Sequence, residues 1–414
     1  MAFLTIYGGF NGYAWWRLRL ADLLPMALAG RPAAYLFVVM TLSPILLMQI
    51  AGPLPVPARR LAALFTYLWM AGVFQFFCWS VFTRLLLTLG RRLGNPVGPW
   101  AATVSTPRAL FVLPFAIVVT LTLYGFWEAR QVAIRTLTFP VAGLPPDVAR
   151  FRIMQVSDLH LGMVEPDHRL QNVARLAREM APDLLVGTGD LFDSFLHERE
   201  EVAALWASIT PPAGKLAVTG NHEFYAGLGE ILPLYIAGGF TLLRGEARQI
   251  TPFLGVIGVD DPTAQRLGLP TADEAGLLAT LASPGFRLLL KHQPLIDPAA
   301  RDHFDLQLSG HTHGGQIFPF AVVPRLTFGF WPGLTPLGGR SHLFLTRGTG
   351  TWGPPIRIFA PPEIVIIDLV PQVAGPVAAA TGMPGREGTT AGGGGRTPDG
   401  FRSAGPSPEN GSDR

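Results

Sequence analysis

Five short clusters of Asp, Asn and His recur through the middle of the chain, and their residue types are suited to metal chemistry. They are DLH at 158–160, GDLFD at 189–193, GNHE at 220–223, a lone His292, and GHTH at 310–313. Carboxylates, imidazoles and one amide oxygen suit Mn, Fe, Zn or Mg rather than copper or a thiolate-type site. The single cysteine, Cys78, excludes a cysteine-based zinc site and an intrachain disulfide. The clusters therefore predict a metal centre with nitrogen and oxygen ligands.

Each cluster follows a short apolar run that is typical of a buried strand. These runs include FRIMQVSD, DLLVGTGD, KLAVTGNH, FRLLLKHQ and FDLQLSGH, and helix-like stretches such as HRLQNVARLAREM lie between them. This alternation predicts a layered α/β domain that begins after about Arg135. Ligands of open α/β sheets collect at the carboxyl ends of the strands. The clusters are therefore expected at the edge where such sheets bind their ligands.

The order D-x-H, G-D-x-x-D, G-N-H-E, H and G-H-x-H resembles the calcineurin-like metallophosphoesterase superfamily. The resemblance spans residues 151–369, which is over half of the chain. The GGQ after the last motif and the ending RGTG…PPIRIFAPPEIVIIDL are similar to the bacterial membrane-associated branch of that superfamily. The resemblance implies a four-layer α/β/β/α sandwich, preceded by an all-α transmembrane module that lies outside the shared pattern.

The resemblance also implies ligands for two divalent metal ions, with one carboxylate bridging them. One ion would be held by Asp158, His160, Asp190 and His313, and the other by Asp190, Asn221, His292 and His311. In an extended segment the H-x-H spacing places both imidazoles on the same side, so that one reaches each metal. The flanking glycines would let backbone and phosphate approach closely. Mn, Fe, Zn and Mg all remain open as the metal.

The chemistry implied by the resemblance is hydrolysis of a phosphoric ester. Two divalent ions about 3.5–4 Å apart lower the pKa of a water held between them, so that a hydroxide attacks phosphorus. His222 is implied as the general acid for the leaving group, and Asp193 would keep its imidazole protonated and oriented. Glu223 completes its motif and is expected to support the loop.

Three charge-free apolar runs precede the α/β region, at residues 33–50, 61–83 and 109–127. Each is near the ~20 residues that cross ~30 Å of hydrocarbon. Core helices usually show a polar face, so these runs predict three membrane helices. Residues 1–16 are also apolar, but glycine-rich and short, which leaves a fourth element open. The chain as a whole is only 15% charged, against about a quarter in typical soluble domains.

The expected organisation is a membrane module at 1–130, a catalytic domain at 131–370 and a disordered Gly/Pro/Ser-rich tail at 371–414. With three spans, seven arginines lie on one side of the membrane and four on the other. The seven are Arg17, Arg19, Arg31, Arg84, Arg91, Arg92 and Arg108, and the four are Arg59, Arg60, Arg130 and Arg135. The positive-inside rule then places the catalytic domain outside the cytoplasm, in a bacterial inner membrane, whereas a fourth span is expected to reverse this orientation.

Residues 314–339 form a long apolar segment directly after the last motif, with Arg325 as its one charge. Its aromatic residues are Phe318, Phe320, Phe328, Phe330 and Trp331. One interpretation is contact with the bilayer or an acyl chain, with Phe328 and Trp331 as substrate contacts, and the other is ordinary buried packing. Arg347 is either a partner of the substrate phosphate or one half of a salt bridge.

The sequence therefore predicts a membrane-anchored metallophosphoesterase that hydrolyses a phosphodiester or pyrophosphate bond. The anchor and the apolar segment favour a lipid-linked substrate, and the bilayer and a phosphate ester are the expected partners. A soluble nucleotide or phosphomonoester is the alternative substrate, and a non-catalytic scaffold on the same fold is the alternative from another class. Every ligand position is filled, which argues against the scaffold. The net charge is +3 with no basic run, so no nucleic-acid partner is indicated.

Overall fold

A computed structural model of the chain describes residues 2–93, 103–145, 147–164, 168–282 and 285–372. These residues form a helical N-terminal region followed by an α/β region. Nearly all of the tail expected at 371–414 lies outside the described residues, so the prediction of a disordered tail is not addressed.

Four long helices pack side by side in the N-terminal region. The helices are α1 Ala2–Ala21, the short α2 Met26–Ala29, α3 Arg31–Ile50, α4 Val56–Arg92 and α5 Ala109–Glu128. The three predicted apolar runs lie inside α3, α4 and α5, and the element left open is α1, which packs against all three. Within the described chain, the stretches long and apolar enough to cross a membrane are Met26–Ile50, Val56–Arg92 and Ala109–Glu128. The domain limits at residues 130 and 370 remain predictions.

Contacts between side chains give the directions of α1 and α4. Trp69 of α4 donates to Oδ1 of Asn11 in α1 over 2.8 Å. Further along both helices, the Arg84 guanidinium lies 5.7 Å from the ring centre of Trp16. The later residue of α1 therefore contacts the later residue of α4, which means that the two helices run parallel.

The two ends of the bundle differ in what they contact. At one end, called the distal end below, Arg108 at the start of α5 donates to the carbonyl of Ala21, the last residue of α1, over 3.4 Å. At the other end, Oε2 of Glu128 accepts from the backbone N–H of Ala360 in the α/β region over 3.1 Å. The bundle thus joins the α/β region at the end where α5 finishes.

Two six-stranded sheets form the α/β region. The strands are β1 Ala133–Val141, β2 Phe151–Val156, β3 Leu184–Thr188, β4 Lys215–Val218, β5 Thr241–Leu242, β6 Glu246–Thr251, β7 Leu254–Gly258, β8 Phe286–Leu290, β9 Leu306–Ser309, β10 Gly333–Gly338, β11 Ser341–Leu345 and β12 Glu363–Pro371. The first sheet has the order β1-β12-β2-β3-β4-β5, and the second has the order β10-β11-β9-β8-β7-β6. Strands β2 to β5 are parallel, as are β7, β8 and β9. The strand ends that carry the motifs therefore point the same way within each sheet.

Helices connect many of the strands of the two sheets. They are α6 His168–Met180, α7 Arg199–Ala207, α8 Asn221–Ala226, α9 Leu228–Ala237, α10 Thr263–Arg266, α11 Glu274–Thr280 and α12 Val322–Phe328. One apolar core lies between the sheets, a second joins the first sheet to α6, α7 and α9, and a third covers the second sheet beside α11. Because the central strands are buried on both faces, their sequences are continuous apolar runs rather than alternating ones. The four-layer α/β/β/α fold is confirmed.

Candidate metal centre

The structure brings the five motif clusters together at the carboxyl ends of the strands. Asp158 and His160 follow β2, and Asp190 and Asp193 follow β3. The GNHE motif begins α8 just after β4, His292 follows β8, and the GHTH motif follows β9. Residues more than 150 positions apart in the chain therefore share one site, because parallel strands end at a common edge.

Three buried residues form the first candidate metal-binding group. The ligand atoms of Asp158, His160 and His313 all lie within 4.8 Å of one another. Nε2 of His160 is 2.9 Å from Nε2 of His313, which is in turn 3.5 Å from Oδ1 of Asp158. Oδ2 of Asp190 is 3.8 Å from Nε2 of His160. These four residues are the first ligand set implied by the resemblance.

Asp190, His292 and His311 form the second group, again with ligand atoms within 4.8 Å. Nε2 of His292 is 3.1 Å from Oδ2 of Asp190 and 3.3 Å from Nδ1 of His311. Nδ1 of His292 donates to the carbonyl of Thr188 over 2.8 Å, so Nε2 is the ring nitrogen beside Asp190 that would bind a cation. Asp190 faces both groups, as a bridging ligand must.

Asn221 supplies a test of whether the site fits metal ions. Its Oδ1 is buried and makes no hydrogen bond within the described part of the chain. A buried polar atom without a partner costs about 1–3 kcal/mol, so such an atom calls for an explanation. A cation coordinated by the amide oxygen would supply the missing partner. Together with carboxylates and imidazoles and no sulfur, this donor set fits two divalent cations.

The backbone at the candidate ligands is strained. Positive φ values occur at Asp158 (52°), His160 (51°), Asp190 (52°), His311 (72°) and His313 (51°). Residues other than glycine rarely adopt this left-handed region, and each instance costs about 1–3 kcal/mol. Strain of this kind persists only where surrounding contacts impose it, and it clusters at functional sites.

Glu223 imposes part of that geometry by joining two motif loops. It is fully buried, and Oε2 accepts from the backbone N–H groups of Asp190 and Gly220 over 3.0 and 2.7 Å. Its Oε1 accepts from the N–H of Leu191 over 2.9 Å and from the Tyr235 hydroxyl over 2.8 Å. The carboxylate is thus occupied within the protein, in agreement with the expected support of the loop.

Two glycines of the motifs are required by packing against ligand carboxylates. A Cβ at Gly310 would lie 2.1 Å from Oδ2 of Asp158, and one at Gly220 would lie 2.1 Å from Oδ1 of Asp190. Any side chain at either position would displace the carboxylate. The glycines had been expected to admit phosphate, and the contacts give them this further role.

The GHTH segment is not extended, so the expected reason for its spacing was wrong. Thr312 is helical at φ −86° and ψ −15°, and a 3₁₀ turn follows at His313–Gly315. This turn directs His311 to the second group and His313 to the first. One imidazole still joins each group, but a tight turn rather than a strand separates them.

Asp193 orients two imidazoles at once. Its Oδ1 is 2.9 Å from Nδ1 of His160 and 2.7 Å from Nδ1 of His222. With both Nδ1 atoms donating to Asp193, Nε2 of His160 presents a lone pair to the first group. Burial lowers the pKa of His222, but the charges of Asp190 and Asp193 outweigh burial and raise that pKa to about 9. The imidazole is therefore protonated at neutral pH, as a general acid requires.

The two ligand carboxylates have pKa values shifted in opposite directions. Burial raises the pKa of Asp158. Burial also opposes ionisation of Asp190, but His292 and His222 outweigh burial and lower its pKa well below the usual value. Burial, together with the charge of His292, lowers the pKa of His311 to about 3. His311 is thus a neutral imidazole at physiological pH, which is the form that binds metals.

A cavity of about 460 Å³ opens onto the two groups. One wall consists of motif residues, namely His160, Asp190, Asn221, His222, His311, Thr312 and His313. The rest of the lining is mainly apolar and comes from α4, α8, the segment 314–339 and the loop at 352–354: Met70, Ala71, Phe74, Tyr225, Gly315, Gln316, Ile317, Phe320, Pro324, Phe328, Trp352 and Pro354. A charged wall and a largely apolar wall therefore belong to one cavity.

The three predicted substrate contacts have different surroundings. Phe328 lines the cavity, and its ring centre is 5.4 Å from that of His311. Trp331 is 53% exposed and does not line the cavity. Nη2 of Arg347 lies 2.5 Å from Oε2 of Glu363, which is the salt-bridge alternative. Phe328 is the one of the three that lines the cavity, and the substrate-binding roles of all three remain predictions.

Several cavity residues carry no signal in the sequence that could have identified them. Met70, Ala71 and Phe74 lie within a uniformly apolar run, where periodicity does not distinguish a cavity-facing side from a lipid-facing one. Trp352 has its ring centre 6.0 Å from that of His222. Its carbonyl accepts from Nε2 of Gln316 over 2.9 Å, so the GGQ sequence quoted above does have a structural role.

Comparison with known proteins identifies the family. Residues 151–315 match the model of the calcineurin-like phosphoesterases. The chain is 38% identical over 255 residues to an uncharacterized metallophosphoesterase of Aquifex aeolicus (strain VF5), a match that covers 61% of this chain and 97% of that protein. The chain belongs to the calcineurin-like phosphoesterase family. The resemblance drawn from the motifs is thereby confirmed.

Two further relatives extend the comparison of this metallophosphoesterase. The uncharacterized metallophosphoesterase YkuE of Bacillus subtilis (strain 168) is 34% identical over 262 residues, which cover 59% of this chain and 89% of that protein. A "transmembrane protein with metallophosphoesterase domain" of Danio rerio is 30% identical over 323 residues, which cover 73% of this chain and 74% of that protein. The predicted activity class, a metal-dependent phosphoric ester hydrolase, is confirmed. The long apolar helices and such relatives indicate a membrane protein.

Proposed function

We propose that this metallophosphoesterase is a membrane-anchored, two-metal enzyme that hydrolyses a phosphodiester or pyrophosphate bond of a lipid-linked substrate. The observation that carries the proposal is the shared cavity, which Met70, Ala71 and Phe74 of α4 line together with the motif residues. A phosphate attached to a hydrocarbon chain matches both walls, because the charged group would meet the motif residues and the chain the apolar side chains. A soluble nucleotide would leave the apolar wall without a function.

The proposed ligands follow the two groups. Asp158, His160, Asp190 and His313 would hold one ion, and Asp190, Asn221, His292 and His311 the other, with Mn, Fe, Zn or Mg as the metal. When bound, two divalent cations would neutralise phosphoryl oxygens and increase the acidity of water at the site.

His222 is proposed as the general acid for the leaving group. Its ring lines the cavity, and its Nδ1 contacts Asp193, so the proton available for transfer lies on Nε2. The rings of Tyr225 and Trp352 have centres 5.5 and 6.0 Å from that of His222. These aromatic neighbours limit the access of bulk water to the imidazole and restrict its rotation.

The arrangement of the bundle supports an extracytoplasmic catalytic domain. Arg84 lies beside Trp16 and Arg108 beside Ala21, so the seven arginines counted on one side of the membrane gather towards the distal end. The four others flank the junction with the α/β region. Because α1 has Arg17 and Arg19 at its distal end, its presence as a fourth long helix leaves this count unchanged. The positive-inside rule then favours a cytoplasmic distal end, in a bacterial inner membrane.

The first experiment tests the chemistry. Detergent-purified full-length protein would be assayed with 4-nitrophenyl methyl phosphate and with 4-nitrophenyl phosphate, with Mn²⁺ and with chelator. We expect metal-dependent turnover of the diester, and none in Asp190→Ala. Preferential turnover of the monoester would instead support the alternative of a phosphomonoesterase. Bound metal without turnover of either ester would count against the proposed enzyme and favour the scaffold.

The second experiment tests the lipid-linked substrate. 4-Nitrophenyl hexadecyl phosphate and 4-nitrophenyl methyl phosphate differ only in the chain, so the ratio of their kcat/KM values measures recognition of the chain. Phe328→Ser should lower this ratio, since Phe328 lines the cavity, whereas Trp331→Ser on the same segment serves as the matched control. Equal ratios in wild type and both variants, with no preference for the long chain, would contradict the proposal.

A further inference from the structure

Gln75 connects the middle of α4 to the apolar segment after the last motif. It is almost fully buried, its Nε2 donates to the carbonyl of Phe318, and its Oε1 accepts from Nε1 of Trp79 over 2.9 Å. Gln75 lies fifteen residues after Arg60 and nine before Arg84, which at the helical rise is about 22 Å and about 13 Å along the axis. The segment therefore meets α4 well inside the charge-free stretch that is long enough to cross hydrocarbon.

Aromatic contacts continue this interface along α4. The ring centres of Phe74 and Phe320 are 5.9 Å apart, and those of Trp79 and Phe318 are 6.3 Å apart. The same segment lines the cavity through Phe320 and Phe328. One continuous piece of chain thus extends from the metal centre to the middle of a helix that is apolar enough to span a membrane.

The outer surface of this piece is apolar. Every residue of α12 is at least partly exposed, including Val322 at 49%, Val323 at 48% and Leu326 at 80%. Exposed apolar side chains of this size stabilise the protein only when an apolar partner covers them, by roughly 25 cal/mol for each Å² of apolar surface removed from water. The one charged residue is Arg325, whose guanidinium lies 5.9 Å from the ring centre of Trp331. The long side chain of an arginine can lie along apolar surface while its charged end reaches polar surroundings.

Several backbone groups of the segment are hydrogen-bonded within the protein. The N–H groups of Phe318 and Phe320 donate to the carbonyls of Ile358 and Ile317 over 3.2 and 2.8 Å. Further along, the N–H of Gly329 donates to the backbone carbonyl of Arg325 over 3.0 Å. The carbonyl of Phe318 accepts from Nε2 of Gln75. Non-helical backbone is tolerated at membrane depth only when its polar groups are paired with protein.

We infer that residues 317–328 insert into the hydrocarbon of the bilayer beside α4, so that the acyl chains of one leaflet cover Val322, Val323 and Leu326. The inference rests on the proposed membrane anchoring but not on the identity of the substrate. It gives the catalytic cavity a lateral opening towards the leaflet. A lipid-linked phosphate then reaches the metal centre while its chain stays in hydrocarbon.

The test is depth-dependent quenching in the full-length protein. In a Cys78→Ala background, single cysteines would replace Leu326 in α12, Val38 in α3 and Ile236 in α9. Each variant would be labelled with bimane maleimide in detergent and reconstituted into phosphatidylcholine nanodiscs with or without bromine on the acyl chains. The three native side chains are all large and exposed, at 80%, 57% and 70%, so the label disturbs little packing.

We expect brominated lipid to quench bimane fluorescence at positions 326 and 38 to a similar extent. The fluorescence of bimane at position 236 should not decrease. Quenching at 38 but not at 326 would overturn the inference while leaving the anchor intact. No quenching at either position would overturn both the inference and the proposed anchoring. The metal content of each labelled sample shows that the site remains folded, so that neither result can be attributed to unfolding.

Discussion

The wall of the cavity that carries the motif residues differs from the apolar wall in both chemistry and origin. Motif side chains such as Asp190 are buried, held by hydrogen bonds and set on strained backbone. The apolar wall combines α4 with a segment some 250 residues later in the chain, and its contacts are mostly apolar, with Gln75 as a polar exception. Under the proposed function, one wall carries out the reaction and the other binds the part of the substrate that does not react.

The largest effect is expected at the residue shared by both candidate metal groups. Asp190→Ala removes the carboxylate that lies between His160 and His292. Loss of metal assistance worth several kcal/mol lowers turnover at least about 10³-fold. Metal analysis of the purified variant, beside steady-state hydrolysis, checks this prediction. A variant that keeps two metals per chain would show that Asp190 does not bridge.

Replacing His222 should affect rate without affecting metal. His222→Ala removes the proposed proton donor, and kcat for the diester should fall about 10²–10⁴-fold. Metal content should equal that of the wild type, because the His222 imidazole contacts Asp193, and the contact with Asp190 is made by the backbone N–H, which alanine retains. Loss of metal from this variant would show that His222 is itself a ligand.

Glu223 offers a test of the hydrogen bonds behind the motif wall. Glu223→Gln replaces an acceptor of five backbone and hydroxyl hydrogen bonds by a group that must donate at one end. Metal affinity should weaken about 10–100-fold, as for other residues that hold ligands in place. Metal titration of the apo-protein measures the change, and Glu246→Gln at an exposed position of β6 is the matched control. Unchanged affinity would show that the loops keep their geometry without this carboxylate.

The apolar wall should respond in substrate preference rather than in metal content. Ala71→Trp places a large side chain in the cavity and should lower the long-chain to short-chain ratio of kcat/KM by about tenfold. Leu61→Trp, at an exposed position of the same helix, is the control. The comparison of the two walls fails if Ala71→Trp removes metal, or if Asp190 or Glu223 variants alter the chain-length ratio.

The smallest effect is expected at Gln75. Gln75→Leu leaves the Phe318 carbonyl and the Trp79 indole without this partner, and unfolding free energy should fall by about 0.6–1.7 kcal/mol, the range of hydrogen bonds between membrane helices. Thermal unfolding in nanodiscs gives the value, with exposed Gln249→Leu in β6 as control. A stability equal to wild type would show that this hydrogen bond does not hold the segment on α4.

Most of the motif wall could be predicted because its chemistry is local. A strand followed by Asp-x-His needs only a few neighbouring residues to present its donors, and five such endings in order indicate a family with a known arrangement. The conformation of GHTH was missed because two αL residues and a 3₁₀ turn are imposed by contacts with other loops, and sequence spacing does not show them. Trp331 and Arg347 were plausible by type, yet exposure and a salt bridge decided their surroundings.

The amino-acid sequence by itself determined the donor atoms, the layered α/β fold and the apolar helices, because residue type and short-range periodicity are enough to specify them. Only the tertiary structure decided that Asp193 orients two imidazoles, that Asn221 Oδ1 has no hydrogen-bond partner among the described residues, and that Ala71 lines the cavity at the metal centre. The physical reason is that these features depend on packing between segments far apart in the chain. An apolar helix has the same sequence pattern whether lipid or a substrate cavity covers it.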